Sequence, residues 1–523
     1  MNKNLQTILH YHQMTKHSQQ KYAKSLGYMD WATQPNPFRE YKGTKKILLP
    51  LSSNNPTPPY SLLDEELPSA PLLKESLAQF LEFSMGIAAW KESGGSSWAV
   101  RCNASSGNLH PTECYLVLPP MLQEQNNKCS VAHYAPKEHQ LELLSTFESD
   151  FFQELPKGSF LVGLSSISWR EVWKYGERAF RYVNLDVGHA WQSLVVSAKM
   201  LGWKLTQLDN ISNADLQKIM GLDQRSRFQE EELADILLLL SPISVKNTPS
   251  LERILRDIPL LFQGEANQLS HTMHEWEIIT EIEQATATDA TPQKHVTTSH
   301  LQRIASRVSK DVVLQRRSVH VMDKKESQIT KEELFTLLRS VKESLDSKRN
   351  SLHLLIFIHR VENMEPGLYI LVRNEEMQES LQEAMSPNFL WREEEFSSLY
   401  LLHEYDYRLI SKTISCSQDI ASDGAFSLGM LSEFTEQLQN YGSHRYKELF
   451  WEAGTIGQQL YLEATSLGLS GTGIGCFLDD MTHQLLGLKN NSFQILYHFT
   501  VGRGYVDSRI QTKPAYKRED ISH

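Results

Sequence analysis

Four stretches of the sequence combine residue types that can hold a flat ligand carrying a phosphate. Residues 101–115 read Arg-Cys-Asn-Ala-Ser-Ser-Gly-Asn-Leu-His-Pro-Thr-Glu-Cys-Tyr and run into an apolar segment. Within them, Ser105, Ser106, Gly107 and Asn108 are small or polar, so a backbone can approach a planar ring closely. Further on, Arg316-Arg317-Ser318 supplies two forked cations and a hydroxyl, the donors a terminal phosphate takes. Near the C-terminus, Gly471-Thr-Gly473-Ile474-Gly475 offers backbone N–H groups, and Val501-Gly-Arg503 adds another guanidinium. The glycine run is not a dinucleotide fingerprint, because it follows a helix-like stretch and Cys476 takes the place of the third glycine. Lys174 and Tyr175 are the candidate chemical residues. Arg178, Arg181 and His189 are weaker candidates for substrate contacts. His110 reads as structural. His271 and His274 lie three apart with no further ligands and read as surface residues, so no metal site is expected. Walker A, GxSxG and HExxH patterns are absent.

The elements that must position these residues come in two copies. Gly188-His-Ala-Trp-Gln192-Ser-Leu194, with Ala198 and Leu201-Gly202, matches Gly454-Thr-Ile-Gly-Gln458-Gln-Leu460, with Ala464 and Leu467-Gly468, at a constant offset of 266. Tyr175-Gly176 and Tyr441-Gly442 repeat upstream at the same offset, as do the acids Asp186 and Glu452. The apolar spacing predicts a helix in each copy, ended by Gly202 and Gly468. Strand-like runs recur around them: Glu113–Leu118 with Leu352–Phe357, Val131–Tyr134 with Gly367–Val372, and Ile236–Leu240 with Phe493–Val501. The stretch Gln284–Ser299 is poor in large apolar residues and reads as an exposed linker. The expected layout is therefore an α+β chain with domain one at 1–266, a linker at 267–299 and domain two at 300–523.

Lys and Arg total 52 against 63 Asp and Glu, giving −11, which argues against a nucleic-acid partner. No apolar run approaches a bilayer span, and the polar, His-rich start lacks a signal-peptide core, so no membrane partner is expected. Five cysteines, an odd number with no CxxC pair, point to a reduced, cytoplasmic protein.

Ser-Ser-Gly-Asn-Leu-His-Pro-Thr-Glu at 105–113, Arg-Arg-Ser at 316–318, Gly-Thr-Gly-Ile-Gly at 471–475 and Val-Gly-Arg at 501–503 resemble the FMN-dependent nitroreductase family. Lys174-Tyr-Gly-Glu-Arg178-Ala-Phe-Arg-Tyr182 with Asp186-Val-Gly-His189 resembles its SagB-type, azoline-dehydrogenase branch, and Tyr11-His12 with Thr15-Lys16-His17 resembles that branch's leader. The resemblance implies FMN as cofactor and two-step transfer of hydride through flavin N5. It also implies two nitroreductase-like domains that form within one chain the dimer that relatives form from two. Arg316, Arg317, Ser318 and Arg503 would then grip the phosphate and ribityl chain, although His320 stands where relatives often carry another arginine. Ser105, Ser106, Gly107, Asn108, Gly473, Ile474 and Gly475 would line the ring system. Lys174 and Tyr175 would assist proton removal.

The 266 offset tests whether both sites survive. It places Pro50-Leu51-Ser52 opposite Arg316-Arg317-Ser318 and Leu205–Asp209 opposite Gly471–Gly475. Strand ends place Ser241-Pro242 opposite Gly502-Arg503. Domain two in turn has Leu345-Asp-Ser-Lys-Arg-Asn350 where domain one has the Ser-Ser-Gly motif. These complementary losses imply one composite FMN site per chain. Three readings stay open: a reductase consuming NAD(P)H, a dehydrogenase of azoline rings in a modified peptide, and a decayed flavin-binding scaffold. The chain could be a monomer or a higher oligomer.

Overall fold

The structure, a computed structural model, describes residues 2–52, 55–245, 249–288, 307–342, 350–505 and 507–516. Helix α1 (Lys3–Met14) opens the chain. The first half then builds an antiparallel sheet from β1 (Lys45–Leu48), β2 (Thr112–Leu118), β3 (Cys129–Ala135), β4 (Gln140–Phe147), β5 (Phe160–Ser166), β6 (Lys204–Gln207) and β7 (Leu233–Ser241), in the order β1-β4-β3-β2-β5-β7-β6. Between β5 and β6 come α2 (Trp169–Tyr175) and the 22-residue α3 (Ala179–Met200). Alternate strand residues serve two cores. Leu116, Leu118, Val162 and Leu164 pack with Val187 and Leu194 of α3, whereas Val117, Leu161, Leu237 and Leu239 pack with Ile219 and Ile254 on the opposite face. Burial on both faces explains why these strands read as nearly unbroken apolar runs.

The second half enters through α4 (Glu277–Thr286) and α5 (Ser309–Gln315). Its sheet comprises β8 (Leu352–Ile358), β9 (Gly367–Leu371), β10 (Arg392–Glu393), β11 (Leu399–Glu404), β12 (Phe426–Glu433), β13 (Ser470–Ile474) and β14 (Phe493–Gly502). The order β10-β11-β9-β8-β12-β14-β13 repeats that of the first sheet except for the chain position of the outer edge strand. Helices α6 (Thr435–Tyr441) and α7 (Arg445–Ser466) match α2 and α3 in place and length. Gly176 and Gly442 end α2 and α6 at φ +54° and +82°, so the repeated Tyr-Gly is a pair of helix C-caps needing a residue free to turn left-handed.

Helices α3 and α7 cross at the repeated glycines. A Cβ on Gly454 would lie 2.1 Å from the Leu185 carbonyl oxygen and 2.9 Å from Gly188 Cα, and one on Gly188 would lie 2.2 Å from the Trp451 carbonyl oxygen. Backbone lies against backbone there, so neither helix can yield. Gly454→Ala is expected to cost about 3 kcal/mol by overpacking, read as a lower denaturation midpoint. The helices also trade side chains: Trp451 of α7 belongs to the first core, while Phe180, Tyr182 and Leu185 of α3 belong to the second.

Terminal segments cross between halves as well. Ile8 and Tyr11 of α1 lie in the second core, and His12 contacts Tyr446 Oη and Gln494 Oε1 at 3.2 and 3.1 Å. Val312 and Val313 of α5 pack with Tyr60, Phe83 and Val196 of the first half. Near the C-terminus, Gln511–Lys513 pairs with the strand Ile87–Ser93.

Two expectations are corrected. The segment read as linker is folded as far as it is described: α4 buries Ile279, Ile282, Ala285 and Thr286, because its apolar stripe begins before the polar stretch that dominates the local composition. Residues 289–299 lie outside the described residues. Nor are all cysteines reduced. Cys416 and Cys476, 60 apart in sequence, form a disulfide, while Cys102, Cys114 and Cys129 are free and buried. Their spacing carried no sign of the pairing, because only the fold brings the two segments together. Among the described residues, no helix is long and apolar enough to cross a membrane.

Candidate functional site

The serine-rich turn is a left-handed loop fixed from beneath by one acid. Gly107, Asn108 and His110 all have φ between +52° and +60°. Ser106 donates its backbone N–H to Asp186 Oδ1 and Oδ2 at 2.9 and 3.1 Å, and its hydroxyl to Oδ1 at 2.9 Å. Ser105 Oγ accepts the His110 N–H at 2.8 Å, and Asn108 Nδ2 donates to the Ala99 carbonyl at 2.9 Å. Asp186 projects from α3 and is fully buried. Burial pushes its carboxyl up to about 7 against the pull of the Ser105 and Ser106 hydrogen bonds.

That shift has a signed consequence. The protonated form is favoured in the fold, so Asp186 stabilises fully below its ordinary 3.8, and this stabilisation is lost as pH rises to about 7. Asp186→Asn is expected to flatten that part of the stability profile, measured by chemical denaturation at stepped pH. An unchanged profile would count against the assignment.

Lys174 and Tyr175 flank the same turn from α2. A Cβ on Gly107 would lie 2.7 Å from Tyr175 Oη and 3.0 Å from Lys174 Nζ, so a side chain at 107 would strike both. Lys174 Nζ lies 5.3 Å from the Tyr175 ring centroid. Tyr175 is held neutral by burial and by Glu171. Glu171, one turn before Tyr175 in α2, is fully buried, and neither carboxylate oxygen has a hydrogen-bond partner among the described residues. Burial and the nearby Asp186 hold it protonated, against the pull of Lys174. Sequence reading missed Glu171, for a lone acid on a helix looks like a solvated one until its burial is known.

Tyrosines link this turn to the glycine strand. The Tyr182 ring lies 4.4 Å from that of Tyr175, tilted by 53°, and its hydroxyl donates to the Gly475 carbonyl at 3.1 Å. Tyr461 Oη accepts the Gly473 N–H at 2.8 Å and lies 2.7 Å from Ser318 Oγ. Each glycine of β13, and Gly475 just after it, makes room for an aromatic ring: Gly471 for Phe499, Gly473 for Tyr497, Gly475 for Tyr182. The glycines were expected to offer free N–H groups, and that expectation is corrected at Gly473, whose N–H is taken by Tyr461. Ile474 is buried, packed with Met322, Ile420 and Ala421.

The paired arginines point inward. Arg316 is 4% exposed and donates Nε to the Cys102 carbonyl at 2.9 Å and Nη2 to the Arg101 carbonyl at 2.8 Å, with its guanidinium over the Tyr461 ring. Gln458 of α7 holds the same backbone, accepting from Ala104 N and donating to the Cys102 carbonyl. A second-half arginine and a second-half glutamine therefore grip the strand end that runs into the serine turn. Arg317 donates to the Leu314 and Arg316 carbonyls at 2.7 and 2.5 Å. Neither arginine has an acidic partner among the described residues. Burial lowers both, and with the neighbouring Arg316 brings Arg317 down to about 10. A buried and a half-buried guanidinium with no carboxylate among the described residues are a donor set that an anion completes. Lys91, which senses the Arg317 charge and donates to Thr512 Oγ1 at 2.6 Å, adds a cation that sequence reading did not mark.

Other candidates are placed elsewhere. Arg503 is exposed, and its backbone N–H and carbonyl bind Ser327 Oγ and Asp323 N, while the adjacent Gly504 packs on Val319 and Ser470. Arg178 and Arg181 are not free for a substrate. They bind Asp479 at 3.0 and 2.8 Å and the Thr15 and His12 carbonyls, latching the leader onto the second half. His189 Nε2 lies 3.2 Å from Tyr497 Oη. The His110 carbonyl accepts from Arg170 and its Nε2 meets Asn108 Oδ1, a framework role. His271, His274 and His320 are exposed.

The symmetry-related location is furnished differently. Glu452, the counterpart of Asp186, is paired with Arg373 at 2.8 Å, and Ser52, the counterpart of Ser318, gives its N–H to Glu82 at 2.6 Å. There the acid is neutralised internally, and Pro50-Leu51 stands where the other site has its arginine pair. Of the segment matching the serine turn, residues 345–349 lie outside the described residues.

Comparison with known proteins agrees with this architecture. A candidate nitroreductase of Anabaena variabilis superposes with a TM-score of 0.69 at 21% identity, covering 95% of this chain and 99% of its own, and so shares the whole two-domain fold. Part of the Escherichia coli microcin synthetase McbBCD complex, at 21% identity, covers 39% of this chain and 77% of its own with a TM-score of 0.26, too low to bear on function. The same holds for an FMN-bound nitroreductase of Bacteroides fragilis, at 16% identity, 38% and 88% coverage and a TM-score of 0.22. No curated protein matches the sequence. The nitroreductase family model matches residues 68–230 and again 313–503, one match in each half and together more than half of the chain. With the two sheets of matching order, this establishes that the chain belongs to the nitroreductase family and carries two copies of its domain.

Proposed function

We propose that the chain is an FMN-dependent oxidoreductase with one composite site per polypeptide. The observation that supports it most is the arginine pair, which has no acidic partner among the described residues and whose Arg316 is anchored on the backbone entering the serine turn. In this reading Arg316, Arg317 and Ser318 bind the FMN phosphate and ribityl chain, with Arg503 at the rim. Ser105, Ser106, Gly107 and Asn108 lie along one edge of the ring system and Gly473, Ile474 and Gly475 along the other. Bound FMN supplies acceptance and return of hydride. The chain's own groups handle protons. Lys174 Nζ beside Gly107, as the neutral amine, takes a proton from substrate, Tyr175 Oη stays neutral and donates a hydrogen bond, and the neighbouring Glu171 stays protonated.

Two substrates fit. NAD(P)H gives up a hydride and leaves as NAD(P)+, needing no base. An azoline ring in a modified peptide gives up a hydride and a proton to become an azole. The lysine and tyrosine set against Gly107 favour the second, because only that direction uses a base. The test is anaerobic bleaching of the purified flavoprotein by NADH, NADPH and a thiazoline peptide, in wild type and Lys174→Ala. Under the dehydrogenase reading the variant loses peptide-driven bleaching by about 100-fold or more and keeps binding FMN. A colourless chain that takes up no FMN would overturn the proposal as a whole.

A further inference from the structure

Three residues far apart in sequence converge at the end of the glycine strand. Cys476 directly follows Gly475. Cys416 lies in the turn after the helix Arg408–Ile414, and His17 ends the N-terminal leader. The leader is fixed at this point: His17 bridges to Leu478 in parallel, His17 N–H donates to Asp479 Oδ2 at 2.9 Å, and Asp479 N–H returns a bond to the His17 carbonyl at 3.1 Å. Gln418 Nε2 donates to the Ser415 and Cys476 carbonyls at 2.8 and 3.2 Å, tying the two cysteine-bearing segments together. Cys416 and Ser417 are both left-handed, at φ +54° and +61°, a conformation costly for residues with a Cβ and held here by the surrounding fold.

One pair of ligating atoms already has a metal's spacing, and the two sulfurs would part to it once their bond is reduced. His17 Nδ1 lies 3.5 Å from Cys476 Sγ, and the imidazole nitrogen and both sulfurs fall within 4.8 Å of one another. In a tetrahedral zinc site, Zn–S and Zn–N bonds of about 2.3 and 2.05 Å place nitrogen and sulfur about 3.5 Å apart. We propose that His17, Cys416 and Cys476 form a thiol-controlled site for a soft divalent cation of the Zn2+ class, with a water completing the tetrahedron. The disulfide is its closed, metal-free state. A dithiol or phosphine reductant supplies two electrons and the medium two protons, breaking the S–S bond into two thiols. Metal binding then expels both protons as the thiolates ligate; a disulfide oxidant, which takes up two electrons and two protons to become two thiols, re-forms the S–S bond and releases the ion. Two sulfurs and one imidazole select against Mg2+ and Ca2+. Both cysteines are half-buried, so a small reductant and an ion can reach them. The site does not depend on the flavin reading, although it adjoins Gly475, whose carbonyl Tyr182 and Arg178 bind.

The full chain, reduced anaerobically by a phosphine and desalted, is titrated with Co2+. The expected result is one Co2+ per chain, with thiolate-to-cobalt charge-transfer absorption and tetrahedral ligand-field bands, displaced by Zn2+. The oxidised chain should show none of this. Cys476→Ser and His17→Gln should each weaken binding by at least about 100-fold. A reduced wild-type chain that takes up no Co2+, or an oxidised chain that binds as well as the reduced one, overturns the proposal without reliance on any variant. So does equal binding by the variants.

Discussion

Arg317→Ala is expected to weaken FMN binding by about 100-fold while leaving the stability of the flavin-free chain nearly unchanged. A hydrogen bond to a charged group is worth about 1.5–3 kcal/mol, and each 1.4 kcal/mol is tenfold in affinity. Among the described residues, Arg317 hydrogen-bonds only carbonyls of its own segment, Leu314 and Arg316, so its loss breaks no long-range hydrogen bond among them. Arg316 behaves differently. Its Nε and Nη2 hold the Cys102 and Arg101 carbonyls, so Arg316→Ala should weaken FMN binding and also destabilise the chain. Titration of flavin fluorescence, with denaturation of the flavin-free variants, separates the two. If Arg317→Ala binds FMN as tightly as wild type, the phosphate assignment is wrong.

Asp479→Ala is expected to cost about 3–5 kcal/mol, the largest single loss outside the cores. The carboxylate is fully buried between Arg178 and Arg181 and also accepts the His17 N–H. Its removal leaves two buried guanidiniums without a counter-charge and frees the leader from the second half. The two arginines hold its carboxyl far below the usual range. The stabilisation is therefore present above the ordinary carboxylate value of 3.8 and is lost only as pH falls below it. The neighbouring Lys16–Asp480 pair is a control. Asp480 is 44% exposed, so Asp480→Ala should cost no more than about 1 kcal/mol. Equal losses in the two variants, by chemical denaturation, would contradict this account.

Much of the architecture was legible because duplication amplifies a weak signal. The 266 offset paired α3 with α7 and α2 with α6, and the repeated glycines proved to be the helix crossing and the helix caps. The arginine pair and the serine turn were legible because their residue types are uncommon together. What sequence could not give was partnership across the chain. Arg178 and Arg181 looked available until Asp479, some 300 residues away, neutralised them. Glu171 looked like a surface acid until its burial was seen. The Cys416–Cys476 pair had no spacing rule to reveal it. Tyr461 and Tyr497 lacked a motif, yet they fill the space that Gly471 and Gly473 of β13 leave open.

The claim on which the rest stands is that two unequal halves complete a single cofactor site between them. Its most direct test is to saturate the purified chain with FMN, remove free flavin, unfold the protein and count flavin against polypeptide. One FMN per chain is the predicted result, and two per chain would contradict it.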